Sequence, residues 1–305
     1  MQQLNIFWNK IGLFKMNATA YKTETKLPEF KGSSIELKTP YNFPTGDFGK
    51  AVLKEHQERA RADFPNARGL NALAYDEEQE VVTGSNPPSN VLLNMILGQE
   101  GLRTSSQADI EKVLKLKALR LNGRYIDTGL ILRSKCNPNE YLAGNLMSQI
   151  REISPKAKMP AMIPLHELEL TADSSSPYGF AFKIKENAQI FYDLSVLNKG
   201  GHFSSEDIDL QTGLPKKTGN NGNRELYTRD SGLSGLYLDG DSGVISDGDD
   251  LDNSDGNGRV VVVSAGGAAE NLEKYVSQLK QEANQQKVEI DKRFSDAKAL
   301  LIGKR

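Results

Sequence analysis

The sequence is poor in the residues that build covalent and aromatic frameworks. It contains one cysteine, Cys136, and one tryptophan, Trp8. A single cysteine excludes an intrachain disulfide and a metal site made of several cysteines. Stability must therefore come without oxidation, which favours a reducing compartment or an assembled particle.

Long apolar runs and an excess of positive charge are also missing. No segment approaches the ~20 apolar residues of a membrane span. The start, MQQLNIFWNKIGLFKMNA, is broken by Asn9, Lys10 and Lys15, so we expect an amphipathic segment rather than a secretory signal. The net charge of −2 gives no overall attraction to nucleic acid or anionic membranes. These features predict a cytoplasmic protein, or one associated with a particle or a surface.

The middle of the chain predicts an α+β domain over 41–265. Helix-forming residues fill 47–64 and 139–153, Ser89 is placed to cap VLLNMILGQEGL, and Ser105 or Ser106 to open another helix. Extended patterns follow, with alternation in LHELEL and FAFKIK. We therefore expect helices first and a mainly antiparallel sheet after them.

The two ends of the chain differ from this domain. Residues 1–40 predict an N-terminal extension with strands, whereas the valine run 260–263 predicts a buried central strand. Residues 266–305 predict a helix with one narrow apolar seam about four heptads long. Such a helix either packs on its own domain or ties the chain to other subunits through 271–301. The seam positions are Leu272, Val276, Leu279, Ala283, Gln286, Ile290, Phe294, Ala297 and Leu301.

Residues 231–258, the polar window, have an unusual composition. Of these 28 residues, 22 are Asp, Gly, Ser, Asn or Tyr, and none is Lys, Glu, Gln, Met or Trp. Seven are Asp with no Lys or Arg, so the rest of the chain carries a net charge of about +5. Leucines nevertheless recur through the window.

Two ordinary interpretations explain part of this composition. A calcium loop is one, but an EF-hand register starting at Asn253 places Ser264 where the bidentate Glu is required. A disordered acidic linker is the other, but it has no use for regularly spaced leucines. In GLSGLYLDGD, alternation predicts a strand with Leu236 and Leu238 on one face and Tyr237 and Asp239 on the other.

A third interpretation concerns the codons. Randomising the two adenines of AAC or AAT reaches Asn, Asp, Ser, Gly, Tyr, His, Arg, Ile and Val. It never reaches Lys, Glu, Gln, Met or Trp, and it creates no stop codon. Leu, Gly and Val have adenine-free codons, so scaffold positions would escape the same process. The window matches this pattern in two ways. It contains none of the residue types that randomisation cannot reach, and its regularly spaced leucines have codons without adenine.

The segments LYTRDSGLSGLYL, YIDTGLIL and NGRVVVVSA, flanking and enclosing the polar run, resemble the variable proteins of archaeal diversity-generating retroelements. The resemblance implies a C-type lectin fold whose hypervariable region is rewritten at adenine positions by a reverse transcriptase. Two features depart from the family: about 40 helical residues follow the last strand, and no tryptophan is present beyond Trp8. The EPN, QPD and WND tripeptides of calcium-dependent sugar binding are missing, so we expect no sugar binding of that kind.

This interpretation assigns two roles within and beside the window. Buried scaffold positions hold the backbone, while exposed positions contact an unknown protein or cell-surface ligand, which the aspartates predict to be basic. The scaffold residues are Leu233, Leu236, Leu238, Leu251 and Arg259. The ligand-binding residues are Ser234, Tyr237, Asp239, Asp241, Ser242, Ile245, Asp247, Asp249, Asp250, Asp252, Asn253, Asp255 and Asn257.

Signals for catalysis and cofactors are weak. His56, His166 and His202 are far apart and have no metal-ligand partner at short spacing. Asp127 in YIDTG is as well explained by a turn as by catalysis, and no phosphate loop is present. We expect a binding protein without a cofactor. The alternatives are a calcium-binding protein, a structural particle or tail component and, less favoured, a hydrolase.

Overall fold

The computed structural model describes residues 41–116, 119–240 and 243–302. This part of the chain is a mixed α+β structure with antiparallel-rich sheets and a C-terminal helix, which confirms the predicted class. The extension expected over 1–40 lies outside the described residues. The helices are α1 (Gly46–Asp63), α2 (Pro87–Leu97), α3 (Gln107–Lys115), α4 (Glu140–Ile153) and α5 (Ala268–Ile302).

The strands are short, and most follow the helices in the chain. They are β1 (Ala74–Asp76), β2 (Val81–Thr83), β3 (Leu102–Thr104), β4 (Tyr125–Leu132), β5 (Ala161–Pro164), β6 (Leu168–Ala172), β7 (Phe180–Ile184), β8 (Gly201–Phe203), β9 (Arg224–Tyr227), β10 (Leu233–Asp239), β11 (Gly243–Ile245) and β12 (Val262–Ser264).

The largest sheet among the described residues has six strands in the order β5-β4-β10-β11-β9-β8. Its neighbouring strands are antiparallel except for β11 and β9, which are parallel. β10 pairs with both β4 and β11. The sheet therefore carries the first part of the polar window through its centre.

The start of α2 lies one turn earlier than predicted. Its N-cap is Asn86, whose Oδ1 accepts a hydrogen bond of 2.9 Å from the backbone N of Ser89. Pro87 and Pro88 form the first turn, where a missing N–H costs nothing because that group has no partner within the helix. The prediction that Ser89 caps this helix is therefore wrong.

The valine run is buried but does not form a central strand. Only Val262 and Val263 belong to β12, which pairs with β3 in a two-stranded sheet. Val261 and Val263 pack into one core cluster, while Val260 and Val262 pack into another. Because the segment lies between two cores, both of its faces are apolar. A buried position in a large sheet is not needed to explain its composition.

Asp109 joins the starts of two helices. It forms a capping box with Ser106, the N-cap of α3, and its Oδ1 accepts a hydrogen bond of 2.9 Å from the backbone N of Ala268 at the start of α5. Arg103 donates to the same carboxylate at 2.7 Å. Burial opposes ionisation, but Arg103 and Ser106 hold the pKa of Asp109 at about 2. A charged carboxylate therefore fixes the start of α5 to the body.

Beyond its first turns, α5 leaves the body. Every residue from 276 to 300 is exposed, so this part of the helix does not pack on its own domain. The same helix carries many charged residues. Within the described residues, none of the helices has both the length and the apolar character needed to cross a bilayer.

Candidate functional site

The two faces of β10 have different surroundings. Leu236 and Leu238 lie on one face and are fully buried. On the other face Leu233 is buried at the start of the strand, Tyr237 is half-buried and Asp239 is exposed at its end. The alternation predicted for this segment is present. One face of β10 therefore runs from the core into an open site.

A β-bulge brings two residues of β4 to the same open end. The pairing of β4 with β10 skips Thr128, which lies opposite no residue of β10, although its Oγ1 donates to the carbonyl of Leu236 at 3.1 Å. One extra residue reverses which side chains face a given side of the strand. As a result, Asp127 lies opposite Tyr237, and Tyr125 lies opposite Asp239.

A cavity of ≈ 410 Å³ is lined by these four side chains, those of Tyr125, Asp127, Tyr237 and Asp239. The rings of Tyr125 and Tyr237 meet edge to face, with centroids 5.8 Å apart. Loop residues between 248 and 255 form the remaining wall, where Gly248 packs against the ring of Tyr237. The cavity thus joins aromatic surface to a carboxylate-rich rim.

Side chains from outside the polar window hold the loop that closes the cavity. Asn139 Nδ2 donates to the carbonyl of Asp249 at 2.8 Å, and Asn86 Nδ2 donates to the carbonyl of Asp252 at 3.1 Å. Leu251 anchors the loop in the core and is 1% exposed. Because these two hydrogen bonds use backbone atoms of the loop, they do not depend on the exposed side chains that the loop carries.

Arg133 fixes the other end of this loop. Its guanidinium donates to Ser246 O at 2.9 Å and to Ser234 Oγ at 2.9 Å, and Ser234 Oγ donates to Ser246 O at 2.6 Å. Burial lowers the pKa of Arg133 to about 10. Ser234 is fully buried in this network. The prediction that Ser234 is an exposed ligand contact is therefore wrong, because it shares the inward face of Leu236 and Leu238.

Asp127 is the most deeply placed carboxyl group of the cavity. Ser85 Oγ donates to its Oδ2 at 2.6 Å, and Asn90 Nδ2 donates to Ser85 Oγ at 2.9 Å. Burial raises the pKa of Asp127 to about 7, although the bond from Ser85 acts in the opposite direction. Asp127 lies inside β4, so its interpretation as a turn residue is wrong.

The rim is strongly acidic. Burial and the charges of Asp247 and Asp239 raise the pKa of Tyr237 to about 12. A side-chain hydrogen bond with Asp252 raises the pKa of Asp250, while Asp252 forms an ion pair of 2.8 Å with Arg68. The rim therefore holds several carboxylates with limited compensation by cations.

The predicted ligand-binding residues other than the buried Ser234 separate into three groups. Asp241 and Ser242 lie outside the described residues. Asp247, Asp252 and Asn257 lie on the loop but do not line the cavity, and Ile245 lies on the neighbouring strand β11. Those that line the cavity are Tyr237, Asp239, Asp249, Asp250, Asn253 and Asp255. The predicted scaffold residues Leu233, Leu236, Leu238, Leu251 and Arg259 are all buried.

Residues outside the window enlarge the open face beyond what the sequence indicated. Ile245 lies opposite Tyr237 on one side and Tyr227 of β9 on the other. The Tyr227 side chain is exposed, and its hydroxyl donates to Glu225 at 2.6 Å. With Tyr125, the face presents three tyrosines across neighbouring strands. The segments YIDTG and RELYTRD show an alternating pattern in the sequence. Only the pairing of β4 with β10 and of β9 with β11 shows that their tyrosines lie on one sheet.

The histidines do not contribute to this site. His56 is buried and bonds to the carbonyl of Ser89, and burial lowers its pKa to about 4. His166 lies beside Glu167 and Arg103, away from the cavity lining. Among the described residues, no group of three or more His, Cys, Asp or Glu side chains is arranged to hold a metal ion.

The site is therefore an open cavity with two contacting tyrosines, one buried carboxyl group and a rim of exposed carboxylates, closed by a loop whose backbone is held from outside. Its walls come from β4, β10 and the loop after β11. Comparison of the chain with protein-family models, curated proteins and solved structures gave no match to any of them.

Proposed function

We propose that the protein binds ligands through a variable surface displayed on a C-type-lectin-like scaffold, and that adenine-directed retroelement mutagenesis diversifies this surface. One observation carries the proposal: the leucines of the polar window are buried, while seven of its polar residues line one cavity. Burial of each leucine contributes roughly 1.5–3 kcal/mol. The backbone is thus held by residues that leave the exposed positions free to change.

The cavity favours a positively charged ligand group. Asp239, Asp249, Asp250 and Asp255 bring carboxylates to it; Asp249 also forms an ion pair of 3.6 Å with Arg229, but no lysine or arginine is among the described lining residues. An ammonium or guanidinium group would form charge-assisted hydrogen bonds at the rim and contact the tyrosine rings below. The ligand class that fits is a basic side chain of a protein or cell-surface partner.

The scaffold part of the proposal is tested by a triple substitution. Asp239, Asp247 and Asp249 are exposed, so replacing all three by Ser should leave the urea midpoint close to that of the unchanged protein. Leu236→Ser is the matched control and should destabilise strongly, because it introduces a hydroxyl into a fully buried position. Loss of folding in the triple variant would contradict the proposal.

The ligand part is tested with a short oligolysine peptide, and an oligoglutamate peptide of equal length is the control. NMR signals of Tyr125 and Tyr237 should shift with oligolysine only, and the shifts should weaken as salt is added. The triple serine variant should bind less tightly while remaining folded. Equal response to both peptides, or shifts confined to α5, would contradict a cation-binding cavity.

The diversification part is tested on DNA. A near-identical template copy next to a reverse transcriptase gene should carry adenines at the codons for the exposed Asp, Gly, Ser and Asn positions. Codons for Leu233, Leu236, Leu238 and Leu251 should be the same in both copies. Alleles that vary at these leucines as freely as at the aspartates would contradict the proposal.

Two other functions have specific tests. A calcium-binding protein would gain thermal stability with calcium and lose it with a chelator, whereas the proposed cavity gives no such response. Hydrolysis has one feature in its favour, the buried Asp127 in a cavity. However, no histidine, cysteine or lysine is among the described lining residues, and the hydroxyl bonded to Asp127, that of Ser85, is fully buried and does not line the cavity.

A further inference from the structure

The exposed part of α5 carries an apolar stripe that nothing in the described body covers. Val276, Leu279, Ile290 and Phe294 are 39%, 43%, 64% and 71% exposed. At about 100° per residue, these side chains fall within roughly 60° of the helix circumference. A helix in water gains most of its stability from packing along such a stripe. No described residue of the body covers this stripe, so a second surface is needed to bury it.

The stripe is nearly parallel to the helix axis. Leu279, Ala283 and Gln286 are followed eleven residues later by Ile290, Phe294 and Ala297. Eleven residues complete about three helical turns, so such a repeat needs little supercoiling to keep the stripe on one side. The stripe therefore departs from the expected heptad repeat. Two consecutive steps of four residues, from Gln286 to Ile290 and from Ile290 to Phe294, interrupt the alternation of three and four. A second helix with the same eleven-residue repeat can therefore pack along the whole stripe while both helices stay nearly straight.

The charges beside the stripe differ between its two edges. Lys280, Lys287 and Lys298 lie along one edge, whereas Glu282 and Glu289 lie along the other. Opposite edges meet when two copies of a helix pair in parallel, and like edges meet when they pair antiparallel. Lysines would then face glutamates in the parallel arrangement and face lysines in the antiparallel one.

Two further charged residues adjoin these edges. Arg293 lies on the glutamate edge, where it forms an ion pair with Glu289 of the same helix. Asp291 lies near the lysine edge. The clearest intermolecular contact is therefore between Glu282 and Lys287, because a spacing of five residues is the one at which edge residues of parallel helices meet.

We propose that α5 pairs in parallel with α5 of a second copy of this chain, with the apolar stripes in contact and Glu282 of each copy facing Lys287 of the other. Gln286 lies within the stripe and meets its own counterpart, which fixes the register by a hydrogen bond. Since Asp109 holds the start of α5 to the body, parallel pairing places both bodies at the same end of the pair. Two cavities are then available to one multivalent ligand.

The test is sedimentation of the full chain from about 1 to about 200 µM. The unchanged protein should become a two-chain species, and Leu279→Glu with Ile290→Glu should keep it monomeric while the unfolding of the body is unaltered. Val288→Glu is the matched control, because Val288 is equally exposed but lies on the opposite side of α5 and should leave pairing intact. A monomer throughout this range, or a trimer, would overturn the proposal.

The orientation is tested by exchanging charges. Glu282→Lys and Lys287→Glu should each weaken pairing about tenfold, because each brings like charges together twice. An equimolar mixture of the two variants should recover the original affinity, since every contact between them then joins opposite charges. Failure of the mixture to recover would overturn the parallel arrangement, and recovery supports it.

Discussion

Replacing Asp127 by Asn should change the pH dependence of stability, because the carboxyl group is buried and the amide has nearly the same shape. The folded state raises the pKa of Asp127 to about 7, against about 3.9 in an unfolded chain. A raised carboxyl pKa means that the folded state retains its proton when the unfolded state has lost it. This contribution to stability is complete below about pH 4 and is lost as the pH rises toward about 7.

The magnitude follows from the size of the shift. Each pH unit between the two pKa values is worth at most about 1.4 kcal/mol, so the total is about 4 kcal/mol. His56 acts in the opposite direction, because burial lowers its pKa to about 4 and its stabilising effect is lost as the pH falls from about 6.5. The two slopes oppose each other in the unchanged protein. Subtracting the Asp127→Asn profile removes the contribution of His56 and isolates that of Asp127.

The assay is urea unfolding of both proteins at pH values from about 5 to about 8. The unchanged protein should lose stability relative to Asp127→Asn as the pH rises, and the difference should level off above about 7. Asp255→Asn is the control, because Asp255 lines the same cavity but is exposed, and it should give no such trend. A constant difference between the unchanged protein and Asp127→Asn across this range would refute the reasoning.

Two further predictions concern the core. Leu236→Ala should reduce the free energy of unfolding by about 2–5 kcal/mol, and Asp239→Ser by no more than about 0.5 kcal/mol, both measured by urea denaturation; equal losses would show that β10 is not anchored by its leucines. Arg224 and Glu111 form two hydrogen bonds of 2.7 Å while almost fully buried. Arg224→Met should therefore cost about 3–5 kcal/mol, and a second change, Glu111→Met, should recover much of this loss in a double-mutant cycle, whereas additive losses would contradict it.

Local signals in the sequence predicted local structure well. Ser106, one of the two serines expected to open α3, is its N-cap, and α1 and α4 occupy the expected segments. The alternation in β10 correctly separated Leu236 from Tyr237. The same alternation places Ser234 on the inward face, because Ser234 is two residues from Leu236 along the strand.

Contacts between distant segments were not predictable from these patterns. The site needs Tyr125 and Asp127 beside β10, and they face the cavity because of the bulge at Thr128. Neither the pairing partner nor a bulge leaves a periodic signal in one sequence. The valine run was misinterpreted for a related reason, since an apolar run indicates burial on both faces without indicating what covers each face.

Gly248 and Tyr237 illustrate how packing limits the residues that this surface can carry. A Cβ atom at 248 would lie 3.2 Å from Cε1 of Tyr237. A side chain at 248 therefore requires the ring at 237 to move or to be replaced by a smaller group. If the segment is diversified as proposed, alleles should sample the two positions jointly, with bulk at one position accompanied by its loss at the other. The number of foldable variants is then smaller than the product of the choices at each position.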